Sequence, residues 1–289
     1  MEHEQRTRRG ETGSALERRS GMSWPDRTLH VHNDDALPGV RMAEVWYGGG
    51  MAQRRHWHEE ANITLVVSGA LEEVVGRRTE RAGALSVVVK PACTDHADRY
   101  GPEGAHTFAV QLRREVADAL RECDSPIAHW HWLHGGPAAA HMLGLLGALR
   151  GRRADAAELE RRLADVFGCV GGELGRGGSA HVPGWLERTR QALDDSSSSP
   201  PRVRDLAAEA AVHPVYLARQ FRRFYGCSIT GYLKRRRVQA AARLLRRSDI
   251  SLSTLSYVAG FADQSHLCRV FKAGTGMTPL AFRHLAAGR

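Results

Sequence analysis

The 289-residue chain is poor in cysteine and has no long apolar run. Its five cysteines (Cys93, Cys123, Cys169, Cys227, Cys268) are odd in number and scattered, with no CxxC pair. That argues against a disulfide framework and against a zinc finger, and for reduced thiols that mostly pack. No stretch approaches the roughly 20 apolar residues of a membrane span, and Met1–Ser20 is charged and polar without the apolar centre of a signal peptide. A cytoplasmic protein with no membrane partner is expected. Apolar residues make up 42% and charged residues 25%, so wholesale disorder is excluded and about two cored domains fit the length.

Acidic residues are scarce in one region only. Residues 183–289 hold 18 Lys and Arg against 7 Asp and Glu, a net of +11, whereas residues 1–182 hold 23 against 25. The whole +9 excess therefore sits in the last third. A domain this basic meets a polyanion, most commonly a phosphate backbone, although an acidic lipid surface satisfies the same arithmetic.

Residues 1–27 lack apolar periodicity and read as a disordered arm. From Val40 to Leu112 short apolar runs recur between Gly and Pro (Met42–Tyr47, Ile63–Val67, Leu71–Val75, Leu85–Val89, Phe108–Leu112), the pattern of a β-sandwich or small barrel. After Arg113 the spacing becomes helical through residue 176. In that segment Leu159, Leu163, Val166 and Val170 share one face, fit either for the β-domain or for a second subunit, and Gly171–His181 reads as a hinge. Domains at 28–182 and 183–289 follow, the second all helical with a loop over Ser196–Pro201.

The second domain contains a repeat. Leu206, Ala207 and Ala211 recur 49 residues later as Leu255, Ser256 and Gly260; Leu217, Arg219, Phe221 and Gly226 recur 50 later as Leu267, Arg269, Phe271 and Gly276. Each copy reads as a short helix, a turn and a longer helix, over about 203–226 and 252–276. Gly260 suits a turn residue with positive φ, a place Ala211 takes in the first copy. Asp263 can cap the second copy's long helix and Pro214 can open the first's.

Each longer helix has a polar outer face: Val215, Ala218, Arg219, Arg222 and Arg223 in one, Gln264, Ser265, His266, Arg269 and Lys272 in the other. Arg can grip guanine bidentately, Gln can read adenine, and Val or Ala can lie against a thymine methyl. One such match alone is a frequent false positive, but two in tandem within a +11 domain point to double-stranded DNA. A long helix between them carries Lys234, Arg235, Arg236 and Arg237, and would hold the reading helices apart, ideally by about 34 Å. Phosphate contacts are assigned to Arg222, Arg223, Lys234, Arg235, Arg236 and Lys272.

The stretch from about Trp185 to Leu285 resembles the DNA-binding domain of AraC/XylS-type transcriptional regulators, most specifically in residues 260–272 (GFADQSHLCRVFK), then Gly276-Met277-Thr278-Pro279 and Phe282-Arg283. Ser256 and Ala211 depart from the family's usual Ala and Gly. The resemblance implies base contacts by Val215, Ala218, Arg219, Gln264, Ser265, His266 and Arg269, and a cupin-like N-terminal domain for an effector or for dimerisation. An activator of this kind would also meet RNA polymerase.

His56 and His58, two apart on an expected strand, point to one face, and His96 follows Pro91 by five. These resemble the HxH and PxGxxH elements of cupin metal sites, with Cys93 in place of the Gly and with Asn62 or Ile63 where an acidic ligand is expected. Glu60 is an irregular substitute. His56, His58, Glu60 and His96 are thus the effector-pocket candidates, and three imidazoles could hold a divalent metal or line a metal-free pocket. Arg99, Tyr100 and His106 could face the same pocket, while His129, Trp130, His131, Trp132 and His134 read as interface or packing. The expected fold is α+β, a cupin-like β-sandwich or barrel followed by helices and then an all-α domain with two helix-turn-helix units. The expected function is a non-enzymatic, sequence-specific regulator that needs no cofactor to bind DNA. Its rivals are a metal-dependent cupin oxygenase or isomerase with a DNA-binding appendage, and an architectural DNA binder without sequence preference.

Overall fold

The computed structural model describes residues 27–33, 37–122, 126–151, 154–174, 182–195, 201–247 and 249–287. Almost all of the expected arm (1–26), the Gly177-Gly178 part of the expected hinge, residues 196–200 of the expected loop and Cys123 lie outside them. Cys93, Cys169, Cys227 and Cys268 form no disulfide.

An N-terminal β-domain is built from β1 (Arg27–Asn33), β2 (Val40–Tyr47), β3 (Ala52–His56), β4 (Ala61–Val75), β5 (Arg78–Gly83), β6 (Ser86–Lys90), β7 (His96–Leu112) and β8 (His131–His134). All pairings are antiparallel, in the order β1-β2-β7-β4-β6-β8, with β3 also on β7 and β5 also on β4. The two long strands, β4 and β7, bind each other along most of their length. The register slips between Val66 and Ser68 and again between Gly69 and Leu71, where bulges let the pair bend. Glycine is required at this bend. A Cβ on Gly69 would stand 2.1 Å from the Gly104 carbonyl oxygen, and one on Gly104 would stand 2.0 Å from that of Tyr47.

Alternation along the strands divides the side chains between two environments. Ile63, Leu65, Val87, Val89, Phe108 and Val110 join the core under the helices, while Val66, Val88, Leu71, Tyr100 and Ala105 form a separate cluster with Tyr47, Trp130 and Trp132. The sequence pattern missed β1, β5 and β8; the strand expected at His56 and His58 is β3, which ends at His56. Strand β8 interrupts the segment expected to be helical, because the run His131–His134 adds a sheet edge beside β6.

Helices α1 (Arg114–Glu122), α2 (Pro137–Arg150) and α3 (Ala156–Leu174) follow. Gly171 and Gly172 lie inside α3, so the expected hinge does not begin there. The apolar face of Leu159, Leu163, Val166 and Val170 is buried in the chain's own core with Met142, Leu143, Leu145 and Leu146 of α2. It is therefore covered within one subunit, and the case for a dimer that rested on it falls away.

The last third is all helical: α4 (Gly184–Asp195), α5 (Val203–Glu209), α6 (Pro214–Tyr225), α7 (Ile229–Arg247), α8 (Leu252–Val258), α9 (Gln264–Thr275) and α10 (Pro279–Ala286). Its two halves are cored differently. Leu186 and Leu193 of α4, Leu206, Leu217, Phe221, Ile229 and Tyr232 form a closed cluster of their own. Val238, Ala242, Leu245, Leu255, Leu267, Phe271 and Phe282 belong instead to the same continuous core as the β-domain.

Candidate nucleic-acid interface and barrel site

Each helix-turn-helix unit is punctuated twice over in the same way. The turn residue is left-handed in both, Ala211 at φ 53 and Gly260 at φ 78. The reading helices begin on side-chain caps: the His213 ring accepts from Val215 N at 3.3 Å with Pro214 next in line, and Asp263 Oδ1 accepts from His266 N at 2.7 Å. Both end on a left-handed glycine, Gly226 at φ 67 and Gly276 at φ 77, whose N–H donates to the carbonyls of Arg222 and Lys272. The same start and stop signals around the same apolar spacing give two equivalent helices from a repeat with little identity.

Burial separates the inner and outer faces. Leu217 and Phe221 anchor α6, and Leu267, Phe271 and Thr275 anchor α9. Val215 (69% exposed), Ala218, Arg219, Arg222 and Arg223 are exposed on α6; Gln264, Ser265, Arg269 and Lys272 are exposed on α9, with His266 half-buried. The His266 ring leans on Phe261 at 5.5 Å and its Nδ1 accepts from Ala262 N at 3.3 Å, so this imidazole is partly committed to its own turn.

The basic cluster of α7 is less uniform than its sequence. Lys234 is exposed. Arg236 is occupied within the chain, with its Nε 2.9 Å from Asp194 Oδ1 and its Nη1 donating to Gln239. The Arg235 stem lies against Gly135 of the β-domain, whose absent Cβ would be 3.6 Å from Arg235 Cβ. Of the expected phosphate set, the Arg236 guanidinium is therefore engaged inside the molecule, whereas for Arg235 it is the stem that packs inwards.

The histidines converge. Antiparallel pairing sets His56, the last residue of β3, opposite His96, the first of β7. His58 lies just past the end of β3 rather than on it, held where its carbonyl accepts from Cys93 N at 2.7 Å. The three rings lie 4.3 to 5.2 Å apart, and one ligand atom from each falls within 4.8 Å of the others. His56 Nδ1 donates to the Arg54 carbonyl (2.8 Å) and His96 Nδ1 to that of Thr94 (3.0 Å), which orients both rings with Nε2 on the side away from these carbonyls. Burial, reinforced by the charge of Lys90, pushes His58 and His96 down to about 3, so both are unprotonated at neutral pH.

Glu60 is not part of this group, since its place beyond the strand leaves its carboxylate outside the convergence. Arg99 points outwards and His106 to the other side of the sheet, while Tyr100 does face inwards and donates to Gln53 at 3.2 Å. Sequence reasoning missed the polar wall beside the imidazoles. Lys90 pairs with Glu73 and lies 3.6 Å from Asp98; Trp132 Nε1 donates to Glu73 at 2.7 Å; the Trp130 ring lies against His96, tilted, with centroids 4.9 Å apart. Burial opposes the Lys90 ammonium, but Asp98 and Glu73 outweigh it and hold the group charged. Asp98 was within reach of the sequence, being two residues after His96 on one strand and so on one face; Trp130 arrives from β8's approach and had no such signal.

A second polar network joins the domains. Glu44, on the helix side of β2, accepts from His32, His106 and both forks of Arg150, whose Nη1 also donates 2.7 Å to the carbonyl of Leu285 in α10. Arg246 of α7 donates 2.8 Å to the Glu103 carbonyl. Between these ties lies a cavity of about 500 Å³, lined by Trp46, Tyr47, His106, Arg246 and Ala286 among others.

Residues 206–284 match the family described as a helix-turn-helix domain. The last third of the chain therefore contains a helix-turn-helix domain. It is 36% identical over 100 residues to the HTH-type transcriptional activator RhaR of Escherichia coli (strain K12), covering 35% of this chain and 36% of that one. The regulatory protein PocR of Salmonella typhimurium is 28% identical over 98 residues, 34% of this chain and 32% of PocR. The match thus spans about a third of the length of these curated relatives. Among solved structures, the DNA-binding domain of AdpA in complex with a target DNA is 28% identical over 36% of this chain and 94% of its own (TM-score 0.34), and ToxT from Vibrio cholerae O395 is 11% identical over 88% and 100% (TM-score 0.38). The matched residues begin within α5 and take in both reading helices. No helix among the described residues is long and apolar enough to cross a membrane.

Proposed function

We propose that the chain is a sequence-specific DNA-binding transcription regulator whose two helix-turn-helix units read adjacent major-groove segments, with the N-terminal domain supplying an input that alters their presentation. The observation that carries this reading is the duplicated reading helix, twice capped and anchored by the same apolar positions, with its outer face left to Val215, Ala218, Arg219, Gln264, Ser265, His266 and Arg269. These are the base-reading set; Arg222, Arg223, Lys234 and Lys272 are the phosphate set, because they remain outward on the same faces or at the start of α7. Double-stranded DNA is the partner, RNA polymerase a second one where the outcome is activation, and the reading carries no catalytic step.

The test is a selection of genomic fragments by the purified full-length protein at near-physiological salt. Two sequence blocks about 10 bp apart are expected. Retention of all fragments alike, lost equally between 50 and 200 mM salt, would instead identify a backbone binder.

A further inference from the structure

We propose that His56, His58 and His96 bind one divalent transition-metal ion of the Zn²⁺, Co²⁺ or Ni²⁺ class inside the β-domain, with Asp98 as the carboxylate that balances its charge. Four observations meet here. The ligand atoms of the three imidazoles already lie within 4.8 Å of one another. Tetrahedral nitrogen ligands around such an ion stand about 3.3 Å apart, so side-chain adjustments of about an ångström close the shell. Two of the rings are oriented from behind by backbone carbonyls, Arg54 for His56 and Thr94 for His96, which is how metal-ligating histidines are commonly held and made more basic.

The His96 Nε2 atom is buried without a hydrogen bond, and its nearest charged neighbour is Asp98 Oδ2 at 3.8 Å. A polar atom desolvated and left in this state costs free energy unless something accepts its lone pair, and a cation does so. The donor set selects the ion: three imidazoles and no carboxylate in the immediate shell suit Zn²⁺, Co²⁺ or Ni²⁺ and disfavour Mg²⁺ or Ca²⁺. Three protein ligands leave a position open to water or a small anion. Beyond the imidazoles the wall holds one ammonium, Lys90, against two carboxylates, Glu73 and Asp98, so the surroundings do not repel a cation outright.

The experiment uses the full-length chain without an affinity tag, stripped with chelator and titrated with Co²⁺ and Zn²⁺. Expected are one ion per chain, a Co²⁺ visible spectrum of a four- or five-coordinate nitrogen-rich site, and a raised unfolding temperature. His58→Ala, at the half-exposed end of the cluster, should keep the far-ultraviolet circular dichroism of the parent and lose the spectrum; Asp98→Asn should weaken binding about 10- to 100-fold. With 15 histidines in the chain, adventitious binding is the alternative to defeat. No stoichiometric binding at micromolar metal, or a spectrum and affinity unchanged in both His56→Ala and His58→Ala, overturns the proposal.

Discussion

Replacing Ala211 with glycine should make the first helix-turn-helix unit more stable, and the size of the effect can be worked out from the turn alone. Ala211 holds φ 53, a conformation that brings an L-residue's Cβ against the following carbonyl at a cost of about 1–2 kcal/mol. Glycine removes that cost but brings back about 0.5–1 kcal/mol of unfolded-state freedom. The Ala211 methyl is exposed, so no packing is lost with it. A net gain of about 0.5–1 kcal/mol remains. Because the first unit has a core separate from the rest of the chain, global denaturation is a poor reporter. Native-state hydrogen exchange of α5 and α6 is a direct one: their slowest amides should exchange about 2- to 5-fold more slowly in Ala211→Gly. Gly260→Ala supplies the mirror image, with faster exchange in α8 and α9. Equal or faster exchange in Ala211→Gly would refute the argument, since it would mean that the left-handed turn carries no strain.

Three further expectations concern the DNA face and pH. Arg269→Ala should weaken binding to the preferred site by about 1–3 kcal/mol and relax preference at one base pair, read by selecting sites again with the variant; an unchanged preference would remove Arg269 from the reading set. Arg222→Ala should weaken all sequences alike and reduce the salt slope by about 1, whereas Arg235→Ala, on a stem that packs against Gly135, should leave the slope as it is. Burial alone would raise the Glu44 carboxyl, but hydrogen bonds from His106, His32 and Arg150 hold it well below its ordinary value of 4.5. The stability it contributes is present above about pH 4.5 and is lost as pH falls, so urea unfolding of Glu44→Gln should show a shallower acid limb; identical limbs would show that Glu44 is not the titrating group.

What the sequence made legible follows from how local each signal is. The two helix-turn-helix units were readable because caps, turn residues and apolar spacing all lie within some 25 residues of one another and occur twice. The α1–α3 segment was readable in part, since the face of Leu159 to Val170 announced burial without saying against what; α2 supplied the answer, and its own residues are apolar all round. Strands β5 and β8 were missed because they are short pieces with charged or aromatic residues such as Arg81 and Trp132, whose pairing is decided by β4 and β6. The histidine cluster was half legible. HxH spacing brought His56 and His58 to notice and the place of His96 five after Pro91 grouped it with them by resemblance, but the contact that closes the group is the register His56 opposite His96, a long-range pairing that no local pattern fixes. Glu60 failed for the same reason in reverse, being near in sequence and turned elsewhere by the end of the strand.

The tie between domains deserves its own test, because it decides which helix-turn-helix unit the N-terminal domain can influence. The first unit closes its own core around Phe221, whereas the second shares the β-domain's core and is pinned to it by Arg150, which bridges Glu44 of β2 and the Leu285 carbonyl of α10. Glu44 is 1% exposed and Arg150 19% in their side chains, so the pair is mostly desolvated. Removing one partner leaves a buried carboxylate with only the imidazoles of His32 and His106, at a cost of about 3 kcal/mol, the low end for a buried pair because the guanidinium still touches water. Arg150→Ala should therefore destabilise the full chain by that amount in urea, while Arg150→Ala combined with Glu44→Gln should regain part of it, as expected when the loss comes from a stranded charge. Hydrogen exchange should quicken in α10 and leave α5 and α6 unchanged. A loss below about 1 kcal/mol, or exchange that quickens equally in both units, would mean that the second unit is not held through this residue, and that coupling must run through the apolar contact of α9 with α2 instead.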